Sequence, residues 1–288
     1  MNKLTSARSI YLAILLVLVA LLGAGPALAH NSTATSANEL SASPQQQGGG
    51  PTDPAELEAF LDDLMAEQME ELHIAGAAVA VVKDGELFFA KGYGYADLEN
   101  GTPVDPERTV FRTGSTVKIL TWTAVMQLVE QGKLDLEADV NTYLDFQIPD
   151  TYPEPIKLKH LMPHTSGFEY SVFEFKTYDA DELIPAGEWL ASHIPGRVRP
   201  PGDVAGYSNY NADLAGYIVA RVSGMPYEQY IQENILDPLG MEHTTVQSPL
   251  PPDLRQSLSK EYWYRDGTLQ AAHHAQTHQQ HTIEYPAR

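Results

Sequence analysis

A serine and a lysine spaced three residues apart are the side chains of this sequence best suited to nucleophilic chemistry. Ser115-Thr116-Val117-Lys118 stands at the predicted start of an apolar helix, and positions i and i+3 share one helix face. The Lys118 amine can therefore reach the Ser115 hydroxyl. Burial and the positive end of the helix dipole both disfavour the ammonium form of the lysine, so its free amine can take the serine proton. The same helix end favours an oxyanion beside Ser115.

The Ser-x-x-Lys pattern is weak by itself, and the chain contains it twice. The second copy, Ser257-Leu258-Ser259-Lys260, lies in a polar stretch. The Ser115 copy follows a glycine and a short extended segment and precedes a long apolar run. This context favours Ser115 as the nucleophile.

A tyrosine and an asparagine form a second candidate pair, directly before another predicted helix. Tyr207 and Asn209 are two residues apart, and in an extended segment such residues point to the same side, so both can face one cleft. There Tyr207 can shuttle a proton to Ser115 or to a leaving group, and Asn209 can donate to a substrate carbonyl. The alternative is structural: Asn209 or Asn211 caps the helix, and Tyr207 fills the core.

The composition excludes several other kinds of chemistry. The 288 residues include 18 Lys and Arg against 38 Asp and Glu, a formal net charge of −20 that repels nucleic acid. Because the chain contains no cysteine, it has no thiolate nucleophile, no disulfide framework and no cysteine-ligated zinc. With 43% hydrophobic residues, it can bury a core in one large domain or two small ones.

The N-terminal residues indicate export. Lys3 and Arg8 precede an apolar run at residues 10–22, and Ala27-Leu28-Ala29 then supplies small residues suited to cleavage, which predicts a signal peptide over residues 1–29. An uncleaved membrane anchor is the alternative, but the run is shorter than the roughly 20 residues that span a bilayer. We expect a secreted or periplasmic protein that contacts the membrane only through this segment, if it is not cleaved. Residues 30–54 are polar and Gly-rich, as in a flexible linker.

The folded part is predicted to begin with a helix and a hairpin. Residues 55–72 place apolar side chains at helical spacing between acidic ones, which indicates an amphipathic surface helix. Asp84-Gly85 separates two apolar runs, residues 75–82 and 86–96, and this pattern predicts two antiparallel strands.

The helices that follow complete an α+β pattern. Residues 115–131 are apolar on nearly every face, so this helix is expected to lie inside the protein and to end at Gly132. Residues 133–240 predict helices and loops, with helices at about 211–223 and 227–236. The order of elements predicts an antiparallel sheet flanked by helices, together with a helical subdomain.

Four blocks in the same order make this sequence resemble the serine β-lactamase and penicillin-binding protein superfamily. The resemblance covers residues 55–269, and within the superfamily it points to class C β-lactamases, D-alanyl-D-alanine carboxypeptidases and related esterases. The blocks are FRTGSTVK (111–118), LMPHTSGF (161–168), PGDVAGYSNYNADLAGYIV (201–219) and DPLGMEHTT (237–245). The resemblance implies a β-lactamase/transpeptidase-like fold.

The resemblance also implies an acyl-serine mechanism. Ser115 would attack an amide, ester or β-lactam carbonyl, Lys118 and Tyr207 would manage the protons, and Asn209 would orient the substrate. The Ser115 backbone N–H would form half of an oxyanion hole. Such chemistry uses a small-molecule or peptide substrate and requires neither a metal nor an organic cofactor. His164-Thr165-Ser166-Gly167 corresponds to a structural loop of the family, not to a catalytic pair.

The third motif of the family departs from the expected pattern. After Tyr207 we find neither Lys-Thr-Gly nor His-x-Gly, and Lys176-Thr177 is followed by Tyr178. We therefore expect the domain at 55–269 to be incomplete, with the C-terminal strands missing. The N-terminal hairpin would then lack neighbouring strands and expose an apolar face.

Residues 270–288 change in character and leave two alternatives for the tail. They are rich in histidine and glutamine, with His273, His274, His278 and His281 among them. One interpretation is a metal-binding tail, but no ligand framework of fixed geometry surrounds these histidines. The interpretation we favour is a truncated or frame-altered end.

Two functional hypotheses follow. The first is an exported acyl-serine hydrolase, and the second is a non-catalytic ligand-binding pseudoenzyme or inactive fragment without the third motif. A structural surface protein on a flexible tether would leave the four ordered blocks unexplained.

Overall fold

The computed structural model describes residues 50–170 and 184–272, and the chain divides into two units, residues 1–50 and 51–288. The predicted signal peptide, the predicted linker up to residue 49 and the histidines of the predicted tail lie outside the described residues. The elements described below all belong to the second unit.

The first layer is a helix followed by an antiparallel hairpin. Helix α1 spans Pro54–Leu72, and the Asp53 carboxylate caps it by accepting a hydrogen bond from the Ala55 backbone at 2.9 Å. Strands β1 (Gly76–Lys83) and β2 (Glu86–Asp97) pair in antiparallel register. At the turn between them, Asp84 and Gly85 have φ angles of 54° and 84°, the left-handed conformations of a two-residue hairpin turn. The predicted helix and hairpin are confirmed.

Polar contacts join α1 to β2. The Lys91 ammonium lies 2.7 Å from both Glu58 and Asp62 of the helix, and the Tyr93 hydroxyl donates to Asp62 at 3.1 Å. The apolar face of α1 is less covered than its amphipathic pattern suggests, since Phe60 is 62% exposed. Charge pairing and strand contacts therefore orient this helix more than burial of its own side chains does.

The sheet has one more strand than the sequence predicts. Strand β3 (Thr102–Pro103) pairs with β2, so the order is β1-β2-β3, and the expectation of a hairpin with no neighbouring strand is wrong. The added strand is two residues long. Val82 and Leu87 are exposed, in agreement with the expected apolar surface on the hairpin.

A second hairpin closes the described part of the chain. Strands β4 (Tyr262–Arg265) and β5 (Thr268–Ala271) pair with each other around another Asp-Gly turn, in which Asp266 and Gly267 again have positive φ angles. This hairpin was not predicted from the sequence. Strand β5 extends two residues past the predicted end of the domain at residue 269.

The second layer is a helical block. After a 3₁₀ turn at Gly114–Val117, the helices are α2 (Lys118–Glu130), α3 (Ala186–Ser192), α4 (Asn209–Ser223), α5 (Tyr227–Ile231), which continues as a π-helical turn over Gln232–Leu236, and α6 (Pro252–Arg255). Single 3₁₀ turns lie at Val140–Thr142 and Leu158–His160.

The main hydrophobic core lies where α2, α4 and α5 pack together. Its most deeply buried side chains come from these helices, from α3 and from the loops between them: Leu128, Val140, Leu161, Leu190, Tyr210, Leu214, Ile218, Ile231 and Leu236. This core fixes the first turns of α2 and α4, which carry the candidate catalytic residues.

Helix α2 is only partly internal. Ala124, Val125 and Leu128 are buried, but Ile119 is 63% exposed and Met126 is 42% exposed. These two residues are seven apart and therefore share one face, which is turned away from the core. The expectation that this helix lies inside the protein is wrong for that face, whereas the predicted end at Gly132, with φ 69°, is confirmed.

These elements confirm the predicted α+β class, with antiparallel strands beside a helical block. Within residues 50–170 and 184–272, no helix combines the length and the apolar character needed to cross a bilayer.

Candidate active site

The candidate nucleophile lies on a sharp turn at the start of α2. Gly114 has φ 54°, a left-handed conformation that favours glycine, and it opens the 3₁₀ turn that carries Ser115. The Ser115 side chain is exposed, whereas Lys118, the first residue of α2, is 8% exposed. The Lys118 Nζ atom donates a hydrogen bond to Ser115 Oγ at 3.0 Å. The spacing of three residues thus places the two groups in direct contact.

Tyr207 comes to the same hydroxyl from a distant part of the chain. Its phenolic oxygen lies 2.6 Å from Ser115 Oγ, a distance at which either hydroxyl can donate to the other. Lys118 Nζ also lies 5.2 Å from the centroid of the Tyr207 ring, within range of a cation–π contact. One exposed hydroxyl therefore has two groups beside it that can accept or donate its proton.

Asn209 has a different setting from the predicted one. It is the first residue of α4, and Ser208, with φ −146° and ψ 127°, is the extended residue before the helix. Because Asn209 is already helical, Tyr207 and Asn209 do not lie in one extended segment, and the argument that they point to the same side does not hold. Ser208 occupies the helix cap, so the alternative in which Asn209 or Asn211 caps the helix is also wrong. The Asn209 Oδ1 atom is buried and accepts no hydrogen bond within the described part of the chain. A role for Asn209 in substrate binding stays a prediction.

Two aromatic rings hold the Tyr207 ring in place. The His164 ring lies 4.4 Å from it, centroid to centroid, and the Tyr170 ring meets it edge-on at 5.9 Å. The alternative in which Tyr207 fills the core is wrong, because the side chain is exposed and its hydroxyl reaches Ser115.

A buried hydrogen-bond chain orients His164. The Ser166 hydroxyl donates to Asn211 Oδ1 at 2.6 Å, and this orients the Asn211 side chain so that its Nδ2 lies 3.2 Å from His164 Nδ1. The Ser208 backbone N–H approaches the same ring nitrogen at 3.4 Å. Burial, and then the charge of Lys118, lower the pKa of His164, and a neutral ring is the form that can accept these bonds. His164 and Ser166 therefore support Tyr207, which agrees with a structural loop.

Backbone pairing fixes the segment that precedes Tyr207 against the same loop. The Gly202 and Gly206 N–H groups donate to the carbonyls of Thr165 and His164, each at 2.8 Å. Gly167 permits the close approach, since a Cβ atom there would lie 2.1 Å from the Arg199 carbonyl oxygen.

The second Ser-x-x-Lys copy has a structural environment. The backbone of Ser257 and Ser259 bonds to Val110 at 2.8 Å on either side, and the Lys260 ammonium pairs with Asp97 at 2.9 Å and with Glu99. These contacts tie β2 to the segment before β4. They place Lys260 in an ion-pair cluster and leave Ser115 as the candidate nucleophile.

One polar residue close to the site was missed by the sequence analysis. Asp213 lies in the second turn of α4 and is 7% exposed. Burial raises its pKa to about 7, against the opposing effect of the Lys118 charge. A carboxylate inside the otherwise apolar run of α4, four residues after Asn209, is the sequence signal that would have identified it.

No cluster of three or more His, Cys, Asp or Glu side chains suited to a metal ion occurs in the described ranges. The four histidines of the predicted tail lie outside those ranges.

Comparison with known proteins identifies relatives of this chain. A family model described as Beta-lactamase matches residues 61–279. PbpX of Bacillus subtilis (strain 168), named as a penicillin-binding protein, is 39% identical over 175 residues, and the protein flp of Staphylococcus aureus (strain MW2) is 29% identical over 193 residues. These alignments cover 61% and 64% of this chain but only 42% and 37% of those proteins. The chain thus spans less than half of the length of these two proteins.

Solved structures agree. A penicillin-binding protein homologue from Pyrococcus abyssi superposes with a TM-score of 0.63 at 28% identity, covering 74% of this chain and 50% of that one. A class C beta lactamase superposes with a TM-score of 0.60 at 25% identity, covering 80% of this chain and 61% of that one. The β-lactamase/transpeptidase-like fold and the resemblance predicted from the sequence are confirmed.

Proposed function

We propose that this chain, which belongs to the beta-lactamase family, is an exported acyl-serine hydrolase with Ser115 as its nucleophile. Its substrates would be small molecules or peptides with an amide, ester or β-lactam carbonyl. The observation that carries the proposal is that two side chains contact the Ser115 hydroxyl. Lys118 Nζ lies 3.0 Å and the Tyr207 hydroxyl oxygen lies 2.6 Å from Ser115 Oγ.

The proposed reaction begins with the serine proton. As Ser115 Oγ bonds to the carbonyl carbon, its proton passes to the free amine of Lys118 directly or through the Tyr207 hydroxyl, and a tetrahedral oxyanion forms. When this intermediate collapses, the bond from carbon to the leaving nitrogen or oxygen breaks, and the leaving group takes up a proton from the same pair. An acyl group then remains on Ser115, and water releases it by the reverse sequence of proton transfers.

The position of Ser115 at the start of α2 supports its role in stabilising the oxyanion. Ser115 lies on the 3₁₀ turn that leads into α2. Unpaired N–H groups at the start of a helix favour a developing negative charge, so we assign the Ser115 N–H as one oxyanion donor. Export is proposed from the sequence of residues 1–29.

A ligand-binding function without turnover is the second candidate, and one sequence observation favours it. Residues 208–288 contain neither Lys-Thr-Gly nor His-x-Gly, the motif that would supply the other oxyanion donor. Loss of one such donor lowers turnover about 10²- to 10³-fold. Under this candidate, Ser115 would acylate slowly and would not turn over.

Hydrolysis of a chromogenic ester and of a chromogenic cephalosporin tests the proposal. Circular dichroism and a melting curve first establish that the chain is folded. The hydrolase proposal expects turnover by the wild-type chain and by Ser257→Ala, its matched control in the second Ser-x-x-Lys copy, and none by Ser115→Ala. A folded wild-type chain without turnover would contradict the hydrolase proposal, and single acylation of Ser115 in that case would establish the ligand-binding candidate.

A further inference from the structure

We propose that Asn100 is a site of spontaneous deamidation, at which the side-chain amide of the folded protein becomes a carboxylate beside Asp97. The site lies in the turn at residues 98–101, between β2 and β3. The inference goes beyond the proposed function and does not depend on it, because the reaction needs neither Ser115 nor a substrate.

In this turn, an asparagine is followed by a glycine. Asn100 and Gly101 are both exposed, and Gly101 has φ 63°, a left-handed conformation that favours glycine. The space beside Gly101 is open, since a Cβ atom there would have no neighbour within 4 Å. The Gly101 N–H makes a long hydrogen bond to the Leu98 carbonyl oxygen, at 3.4 Å. The backbone nitrogen that must attack the side chain is therefore accessible and weakly held.

The Asn100 side chain is tethered through its amide nitrogen. Its Nδ2 atom donates to Asp97 Oδ2 at 2.7 Å, and the Asn100 backbone N–H donates to Asp97 Oδ1 at 3.1 Å. Both bonds use N–H groups of Asn100, and neither covers Cγ, the carbon that is attacked. Asp97 therefore fixes the position of the amide while its carbon stays open to the Gly101 nitrogen.

Water is the one co-reactant that the step needs. Hydroxide removes the proton of the Gly101 N–H, and this nitrogen bonds to Asn100 Cγ. The bond from Cγ to Nδ2 then breaks, and ammonia leaves with a proton taken from water. Water opens the resulting five-membered imide at either carbonyl. One opening gives aspartate, and the other gives isoaspartate, in which the main chain runs through the former side chain.

The other asparagines of residues 50–170 and 184–272 lie in helical backbone, and none of them precedes a glycine. Asn209 and Asn211 belong to α4, and Asn234 lies in the π-helical turn after α5. Asn141 lies in a 3₁₀ turn, and its side chain makes hydrogen bonds of 2.9 and 3.2 Å to the Ile148 backbone. Helical φ and ψ angles keep the following nitrogen away from the side-chain carbon. The exposed turn is therefore the place where we expect deamidation first.

The new carboxylate would lie against another one. Asp97 Oδ2 also accepts a hydrogen bond from Lys260 Nζ at 2.9 Å, and mainly for this reason the pKa of Asp97 is lowered to about 2. Asp97 is thus ionised at neutral pH. After deamidation it would face a like charge where it now has an N–H donor at 2.7 Å, so the contact that tethers the turn would become repulsive.

The isoaspartate product also lengthens the main chain by one methylene group. Asp97 pairs with Thr102 across β2 and β3, and Asn100 lies in the connection between them. A longer connection no longer fits this register. Since β3 has two residues, deamidation should weaken its pairing with β2.

Incubation of the full chain at pH 8 and 37 °C, followed by peptide mapping with mass spectrometry, tests the modification. The peptide that contains Asn100 should shift by the mass difference between an amide and an acid and should become a substrate of protein isoaspartyl methyltransferase. The peptide that contains Asn141 should keep its mass. Conversion should be faster at pH 9 than at pH 7, because hydroxide removes the proton of the attacking nitrogen.

Asn100→Gln is the matched control, because its longer side chain closes a ring much more slowly, and its peptide should keep its mass. An Asn100 peptide that stays an amide in the folded wild type, or that converts no faster than the Asn141 peptide, would overturn the inference.

A double-mutant cycle tests the contact with Asp97. Asn100→Asp reproduces the charge of the product on a normal main chain and should lower the melting temperature of the wild type. The loss should be smaller in the Asp97→Asn background, which has no second carboxylate. An equal loss in both backgrounds, or no loss in the wild type, would overturn the proposed repulsion. None of these measurements involves Ser115, so their failure and the failure of the proposed function are distinguishable.

Discussion

Replacement of Asp213 by asparagine should change how the free energy of unfolding depends on pH. The carboxyl group has an ordinary pKa of 3.8, and burial raises it to about 7 in the folded protein. Each unit of difference between the folded and unfolded states is worth about 1.36 kcal/mol, so the full effect is about 4 kcal/mol. This effect is large against the total stability of an ordinary domain.

The sign follows from which state loses its proton first. Below pH 3.8 the side chain is protonated in both states, and its contribution to stability is fully present. As the pH rises, the unfolded chain ionises before the folded one, so the free energy of unfolding falls until the pH passes about 7 and is constant above that. Asp213→Asn has no such loss, so its stability relative to the wild type should rise by about 4 kcal/mol between pH 4 and pH 8.

Urea unfolding followed by tryptophan fluorescence measures this difference at several pH values. The comparison with the wild type cancels the contributions of the other titrating groups, and Ser115→Ala serves as a control whose difference from the wild type should not depend on pH. The reasoning would be refuted if the free energies of unfolding of Asp213→Asn and the wild type differed by the same amount at pH 4 and at pH 8. The carboxyl group would then ionise alike in the folded and unfolded states.

Three further substitutions test other parts of the site. Tyr207→Phe keeps the ring contact with His164 but loses the hydroxyl 2.6 Å from Ser115, so fluorophosphonate labelling should slow by about 10²-fold with little change in the melting temperature; an unchanged rate would exclude Tyr207 from proton transfer. Ser166→Ala leaves the buried Asn211 Oδ1 atom without its donor at 2.6 Å and should lower the free energy of unfolding, measured in urea, by about 1–3 kcal/mol. An unchanged free energy of unfolding would show that this buried hydrogen bond does not stabilise the protein. Ser257→Ala should leave labelling unchanged, since the contacts of that segment come from its backbone; a lost adduct would instead implicate the second Ser-x-x-Lys copy.

Local patterns in the sequence predicted the elements that depend on neighbouring residues. Asp84-Gly85 between two long apolar runs identified the first hairpin, and the spacing of three residues placed Lys118 beside Ser115. Asp266-Gly267 is the same turn signal, yet the strands around it have four residues each and present no clear alternation, so the second hairpin went unpredicted.

Contacts between distant residues were beyond such patterns. Tyr207 and Ser115 are 92 residues apart, so local spacing does not show that they meet. The sequence evidence for their contact was the resemblance to a family. The spacing argument for Asn209 failed because the helix begins at that residue, and helix boundaries depend on tertiary contacts such as those of Ser208 and Asn211 with His164. For Asp213, the apolar residues around it in α4 were a sequence signal of burial that the prediction did not use.

Peptide mapping by mass spectrometry after exposure to an alkyl fluorophosphonate tests the central claim most directly. The folded wild-type chain should carry one adduct, located on Ser115, and the adduct should disappear in Lys118→Met while Ser257→Ala keeps it. An adduct on another serine, or a folded chain that stays unmodified, would contradict the assignment of Ser115 as the nucleophile.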